Sequence, residues 1–460
     1  MTNEKKTISL LEKYNTPVPR YTSYPPANYF TGGFGAADYA QAIRDSNALS
    51  PGHLSFYIHI PFCRHLCHYC GCNSFPAMKP ADVDRYVSAL HTEMDTVIRM
   101  IDPTRQIAQI HYGGGSPTFL PVAVLKEMND HLLSAFTCID RPEIAIECHP
   151  GYLDESYWIA LAEAGFNRFS IGVQDIREEV LKAVNRRPSL LDMETICRIL
   201  RTSGGGINMD FLYGLPFQTR NSFAHTIEQA ITWQPDRLVT FSYAHVPWVN
   251  KQQLLLEKSG LPASEEKSGM FRDAEALLLA AGYRSVGLDH FVRPEDELFL
   301  ALEQKKLRRN FQGYCTGRTT GQVYAFGATG ISQLHGVYAQ NAKGISDYIE
   351  RIEAGSMATV KGYRLNYEEY ITKEVIETLM CNYTIDWEEL SERLSLPIDT
   401  IMGATAYNEK ALRTFADDGI ITLTEKQISV TPKGKLFVRN VAASLDKLMM
   451  QTDKTFSKPV

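Results

Sequence analysis

The sequence predicts an α/β protein: six consecutive βα units forming one large domain, followed by a smaller, mainly helical unit resembling a winged helix. Three observations predict it. Six short runs rich in β-branched and aromatic residues recur between residues 54 and 246, separated by longer segments of helical spacing. Strands that alternate with helices pair in parallel, because parallel neighbours need crossover connections. Beyond residue 366 the alternation stops, and the pattern becomes helices followed by a β-hairpin. A chain of 460 residues also exceeds what one core ordinarily holds.

The expected strands are LSFYIHI from Leu54, IAQIHYGG from Ile107, EIAIECHP from Glu143, RFSIGVQ from Arg168, GINMDFLYGL from Gly206 and RLVTFSYAHV from Arg237. Helical periodicity fills Asp82 to Ile101, Leu120 to Phe136 and Phe223 to Trp233. An open doubly wound sheet and a partial (βα)6 TIM-like barrel both fit this pattern. In either, function sits at the carboxyl ends of the strands. Chemistry-bearing residues fall there: Cys63 follows the first strand, Gly113 to Ser116 end the second, Glu147 lies on the third, and Gln174 ends the fourth. Asp210 lies on the fifth and Ala244 on the sixth. Past residue 366, Asp386 to Leu394 and Tyr407 to Asp418 have helical spacing, and GIITLTEKQISVT from Gly419 reads as a hairpin turning near Glu425 and Lys426. The hairpin is not notably basic, so a packing module is preferred to a DNA reader. The expected division is an amino-terminal segment 1–50, a catalytic domain 51–365 with its barrel core at about 54–290, and a carboxyl-terminal domain 366–460.

Composition narrows the class. Net charge is −6 with Lys and Arg spread along the chain, so no nucleic-acid or membrane partner is expected. MTNEKKTISLLEKYN lacks the apolar run of a secretory signal, and the most apolar stretch, Ala276 to Ala281, is far shorter than the ~20 residues of a membrane span. A soluble, cytoplasmic monomer is expected. Of nine cysteines, Cys63, Cys67, Cys70 and Cys72 fall within ten residues, while the other five are scattered and read as small buried hydrophobes. Clustering of this kind indicates metal or redox chemistry rather than a disulfide framework.

The segment YIHIPFCRHLCHYCGCN carries C-x3-C-x2-C directly after a strand. Thiolates at such intervals wrap one face of a [4Fe-4S] cubane, and three of them leave one iron open. S-adenosylmethionine (SAM) fills that position through its amino and carboxylate groups, and one-electron reduction then breaks its S–C5′ bond to give a 5′-deoxyadenosyl radical. A zinc site on all four cysteines is the bland alternative, but structural zinc usually draws on two separated knuckles. Three glycines in HYGGGSPT suggest a backbone kept bare for a ligand, or a plain tight turn. Glu147, Gln174, Arg186 and Asp210 are polar residues in apolar surroundings, suited to ribose hydroxyls, an ammonium and a carboxylate.

Nearly the whole chain resembles the radical SAM family of oxygen-independent coproporphyrinogen III oxidases. The resemblance rests on PRYTSYP at Pro19, the cysteine segment, HYGGGSPTFL, GFNRFSIGVQD, NMDFLYGLPFQT, FSYAHVP, GLDHF, RNFQGY and VTPKGK. PRYTSYP, the CGCN continuation and RNFQGY separate this family from its relatives. The resemblance implies a partial (βα)6 radical SAM barrel, and conversion of the propionates on rings A and B of coproporphyrinogen III to vinyl groups, with loss of carbon dioxide. The radical takes a propionate β-hydrogen, and an unidentified reductant and electron acceptor complete the cycle. It implies Cys63, Cys67 and Cys70 as cluster ligands, with Cys72 outside the set. By position, Tyr57, Tyr69, Gly114, Glu147 and Ile331 match contacts to a first SAM, and Gly115, Ser116, Gln174, Arg186, Asp210 and Ala244 to a second. Arg20, Tyr21 and Tyr24 match a segment that folds over the substrate opening, where a basic residue suits propionates. No protein side chain is implied as the catalytic group, since the cofactors carry the radical chemistry.

Two departures stand out. Glu147 is followed by Cys148, His149, Pro150 and Gly151 where the family commonly has an acidic residue and Pro-Arg, and Ser116 replaces a threonine. The alternative functions are a radical SAM haem chaperone or anaerobic haem-degrading methyltransferase, from which PRYTSYP discriminates, and a zinc-dependent DNA-binding regulator, which would be colourless.

Overall fold

The computed structural model describes residues 9–317 and 322–459. The first eight residues, part of the expected 1–50 segment and of the stretch read for a signal, lie outside the described residues. All six expected strands form: β1 (Leu54–Ile60), β2 (Ile107–Gly114), β3 (Cys138–Cys148), β4 (Arg168–Gln174), β5 (Gly206–Tyr213) and β6 (Arg237–Ser242). They lie side by side in chain order, each parallel to the next. A doubly wound sheet reverses its order at a switch point, and this one does not. The chain therefore builds a barrel wall.

The wall stays partial because antiparallel strands extend it on both sides. Past β6 come β7 (Arg284–Val286) and β8 (His290–Val292), with β8 antiparallel to β6. The strands β9 (Arg308–Asn310) and β10 (Gly313–Cys315) form a separate hairpin. A seventh parallel strand, β11 (Gln322–Phe326), pairs with the other side of β1 and is followed by antiparallel β12 (Ile331–Leu334), β13 (Val337–Asn341) and β14 (Thr359–Arg364). The twelve strands run β14-β13-β12-β11-β1-β2-β3-β4-β5-β6-β8-β7.

Side-chain alternation divides the wall into two faces. One face carries Ile58, Ile110, Tyr112, Ile146, Phe169, Ile171, Met209 and Phe211, all fully or almost fully buried against the crossover helices. Helix Pro80–Ile98 shows how those helices form: Pro80 opens it, and Val83, Tyr86, Leu90, Met94 and Val97 bury one stripe. The other face carries Tyr57, His111, Glu147, Ser170, Gly172 and Asp210, which the strand register brings to neighbouring positions. A polar inner wall of this kind is costly unless its groups are hydrogen-bonded, paired or turned to a ligand.

A second core lies in the carboxyl-terminal unit. Ile371, Val375, Ile376 and Leu379 of helix Tyr367–Asn382 pack against Trp387, Leu390, Ile401, Leu412 and Val441. The expected hairpin is present as β16 (Ile421–Leu423) and β17 (Gln427–Val430), joined by β15 (Thr384–Asp386). The 1–50 segment is divided between the two cores: Tyr14, Tyr21 and Tyr24 belong to the carboxyl-terminal one, whereas Phe34, Tyr39, Ala42 and Ile43 belong to the barrel. No helix among the described residues is long and apolar enough to cross a membrane.

Candidate active site at the carboxyl ends of the strands

The cysteine loop leaves β1 at Pro61, and three side-chain amides from two other segments hold it. Asn185 Nδ2 donates to the Leu66 carbonyl at 2.8 Å, Asn250 Nδ2 to that of Cys70 at 2.7 Å, and Gln253 Nε2 to that of Tyr69 at 3.0 Å. His59 Nε2 lies 3.0 Å from the Asn73 carbonyl, where the loop ends. Asn185, Asn250 and Gln253 were not identified from the sequence. Amides that bond to backbone have no spacing rule to reveal them.

Cys67 is buried, Cys63 and Cys70 are half-buried, Cys72 is exposed, and all four thiols are free. Burial, with Cys70 and Cys67 nearby, pushes the Cys63 thiol up to about 12. Hydrogen bonding from Cys72, whose N–H lies 3.4 Å from Cys70 Sγ, pulls Cys70 down to about 6. Among the described residues, no three His, Cys, Asp or Glu side chains are gathered to chelate a single ion. Cubane ligands bind separate irons, and three thiols on one loop that act on one another electrostatically are a suitable donor set for that.

Arg186 joins this loop to the wall. Its Nη1 lies 3.7 Å from Cys67 Sγ and donates to the Tyr69 hydroxyl at 3.3 Å, while Nη2 donates to the Gly172 carbonyl. A Cβ on Gly172 would stand 2.8 Å from Arg186 Nη2 and 2.9 Å from Gln174 Nε2, so the glycine lets both side chains cross the strand. Gln174 ends β4 in the left-handed region, with φ 71°.

A bare backbone in the glycine run makes room for this chain's own atoms. A Cβ on Gly113 would meet Glu147 Oε1 at 2.6 Å, one on Gly114 the His59 ring at 2.5 Å, and one on Gly115 the Pro61 backbone at 2.8 Å. This chain's own atoms fill those spaces, and Gly115 N–H bonds to the Ile60 carbonyl at 2.8 Å, tying the run to the cysteine loop. Ser116 does the same through the Phe62 carbonyl at 2.9 Å. Glu147 Oε2 accepts from Gly114 N–H at 3.3 Å and its Oε1 lies 3.1 Å from His111 Nε2, yet the side chain remains 42% exposed. Tyr57 stacks on His111 with centroids 5.9 Å apart.

Asp210 accepts from the Ser170 hydroxyl at 3.0 Å. Burial pushes it up to about 6, with Ser170 opposing, Glu147 adding to the rise, and His290 and Arg186 pulling it down. Ala244 lies in the loop after β6, half-buried. Ile331 opens β12 beside the end of β11, at the same rim. The departure after Glu147 is structural here: His149 Nδ1 accepts from Gly151 N–H at 3.1 Å and caps the turn Pro150–Tyr152. Burial, with Arg186 nearby, pushes the His149 imidazole down to about 2, so it stays neutral.

The amino-terminal candidates separate. Arg20 is exposed in a cleft beside Tyr213 and Ser242, at the ends of β5 and β6. Tyr21 and Tyr24 turn away: they are 5% and 3% exposed, and their hydroxyls donate to Asp446 at 2.9 and 3.1 Å. Two buried phenols need an acceptor, and the Asp446 carboxylate of the carboxyl-terminal unit supplies it.

A partial barrel with three cysteines on the loop after its first strand defines a radical SAM enzyme, and residues 57–230 match the model of the radical SAM superfamily. Residues 365–437 match the HemN C-terminal domain. The chain is 36% identical to the oxygen-independent coproporphyrinogen III oxidase of Synechocystis, over 97% of this chain and 96% of that one. It is 38% identical to the Pseudomonas aeruginosa enzyme of the same name, over 96% and 95%. The solved structure of coproporphyrinogen III oxidase from Escherichia coli superposes with a TM-score of 0.85 at 34% identity, covering 94% of this chain and all of that one. The chain belongs to the oxygen-independent coproporphyrinogen III oxidase family.

Proposed function

We propose that this enzyme converts propionate side chains of coproporphyrinogen III to vinyl groups without oxygen, giving protoporphyrinogen IX for haem synthesis. The observation that carries the reading is the match to enzymes of this activity along almost the full length, the carboxyl-terminal unit included. The haem chaperone and haem-degrading alternatives are not favoured, since the relatives bear the oxidase name over nearly their whole length.

Bound at this rim, a [4Fe-4S] cluster and SAM supply a radical strong enough to take hydrogen from an unactivated C–H bond. Cys63, Cys67 and Cys70 hold the cluster. Arg186 places a buried positive charge beside Cys67 Sγ and so lowers the cost of gathering thiolates there. Tyr57, Tyr69, Gly114, Glu147 and Ile331 face the first SAM: the exposed oxygen surface of Glu147 suits an ammonium or ribose hydroxyls. A second SAM lies against Gly115, Ser116, Gln174, Arg186, Asp210 and Ala244, where Asp210 beside Arg186 suits the two charges of an amino acid. Arg20 faces the substrate. A reductant and an electron acceptor come from outside the chain, which acts as a cytoplasmic monomer.

The test is anaerobic incubation of the iron-loaded protein with SAM, a reductant and coproporphyrinogen III. Protoporphyrinogen IX is expected; an iron-loaded protein that cleaves SAM but leaves coproporphyrinogen unchanged would refute the reading.

A further inference from the structure

Two sequence motifs outside the site above, GLDHF (287–291) and RNFQGY (309–314), meet at the barrel mouth. The Tyr314 ring occupies the space where a Cβ on Gly287 would stand, and its hydroxyl accepts from Leu288 N–H at 3.0 Å. That contact sets the β9–β10 hairpin, which carries Arg309, against the loop carrying Asp289 and His290. The Arg309 guanidinium lies 4.9 Å from the Tyr314 ring centroid, and its Nε and Nη1 are buried without a hydrogen-bond partner. Leaving such donors unpaired costs more than the mean hydrogen bond returns, so orphaned nitrogens point to a missing acceptor.

The charges at this corner are out of balance. Arg439 lies within the fields of both Arg20 and Arg309. Arg309 and Arg20 both act on Asp289 electrostatically, but its carboxylate is already engaged by His290 at 2.7 Å. Arg439 is engaged by the carbonyls of Val18, Pro19, Ser457 and Lys458. Lys267, within the field of Arg20, adds another cation. His290 also acts on Asp210, so this corner is continuous with the inner wall.

We infer that Arg309, acting with Arg20, binds a propionate carboxylate of the substrate. The inference rests on the function proposed above and names the residue that recognises the substrate's acidic side chains. A guanidinium with free donors at Nε and Nη1 offers a carboxylate a charge-assisted hydrogen bond from either edge, whose direction an ammonium reproduces only in part.

The test uses the iron-loaded enzyme with two probes, coproporphyrin III and its uncharged tetramethyl ester, followed by fluorescence titration. Wild type is expected to bind the acid at least about tenfold more tightly than the ester. Arg309→Gln is expected to weaken the acid by about 30-fold or more, the low end for losing one partner of a buried charge pair, and to leave the ester unchanged. In turnover, KM for coproporphyrinogen III rises at unchanged iron content, and Arg309→Lys recovers part of the loss. Equal weakening of acid and ester, or an unchanged KM, would overturn the inference and leave an ordered water on Arg309. Should the Gln variant fail to fold, Arg309→Lys decides, with a KM increase of about fivefold expected and no change refuting it. A wild-type enzyme that neither binds nor converts the tetrapyrrole acid would instead remove the proposed function itself.

Discussion

Replacing Arg186 by Leu is expected to lower the reduction potential of the cluster held by the cysteine loop by on the order of 100 mV, with iron content unchanged. Arg186 is not a thiolate, so its loss leaves the donor set intact, but its Nη1 lies 3.7 Å from Cys67 Sγ. Reduction adds one negative charge at that place. A unit charge about 5 Å away, at an effective dielectric constant of about 20, interacts with it by about 3 kcal/mol. For a one-electron couple about 1.4 kcal/mol corresponds to 59 mV, so the removed attraction is worth on the order of 100 mV. Arg186→Lys keeps the charge but not the fork to Tyr69 and Gly172, and should stay much closer to wild type. An anaerobic redox titration followed by electron paramagnetic resonance reads both variants. A Leu variant within about 20 mV of wild type, or one that has lost its iron, would refute the electrostatic argument.

Cys63→Ala, Cys67→Ala and Cys70→Ala should each abolish cluster assembly while Cys72→Ala retains it, as iron and sulfide analysis will show; full iron in any of the first three contradicts the ligand set. Glu93 is 2% exposed, accepts from Gly327 N–H, Tyr348 and Asn341, and is pushed by burial up to about 7 from an ordinary 4.5. Its folded value is raised, so its contribution is full at low pH and declines by about 3 kcal/mol as pH rises from 4.5 past 7. Glu93→Gln should flatten that slope in urea unfolding, and an unchanged slope would show that the group does not titrate. Asp446→Ala orphans the buried hydroxyls of Tyr21 and Tyr24 and should cost about 2–4 kcal/mol, whereas Asp446→Asn, which keeps an acceptor, should cost under about half of that. Equal melting temperatures for the Ala variant and wild type would contradict this.

Strand positions were legible because parallel barrel strands leave continuous apolar runs, and β1, β2 and β4 fall where the residues predict. The inner-wall residues were also legible, as lone polar side chains at alternate positions of those runs: Glu147 and Asp210 interrupt stretches that otherwise read Ile, Phe and Met. The seventh parallel strand was not, because Gln322–Phe326 is short and its partner β1 lies more than 260 residues earlier in sequence. The glycine run was legible as a close approach, but sequence does not say by what, and the approaching groups are Glu147, His59 and Pro61. The amino-terminal segment misled most. From sequence, Arg20, Tyr21 and Tyr24 match a segment that folds over the substrate opening, yet Tyr14, Tyr21 and Tyr24 complete the core of the carboxyl-terminal unit. Aromatic residues with hydroxyls look the same in a substrate lid and in a core until the partner, here Asp446, is located.

The central claim is hydrogen abstraction from a substrate propionate at the rim of this barrel. The most direct measurement supplies coproporphyrinogen III deuterated at the propionate β-carbons to the iron-loaded enzyme with SAM and a reductant, and weighs the 5′-deoxyadenosine released by mass spectrometry. Deuterium in the 5′-deoxyadenosine, accompanied by protoporphyrinogen IX, is the predicted result; protoporphyrinogen formed alongside 5′-deoxyadenosine that carries no deuterium would contradict it.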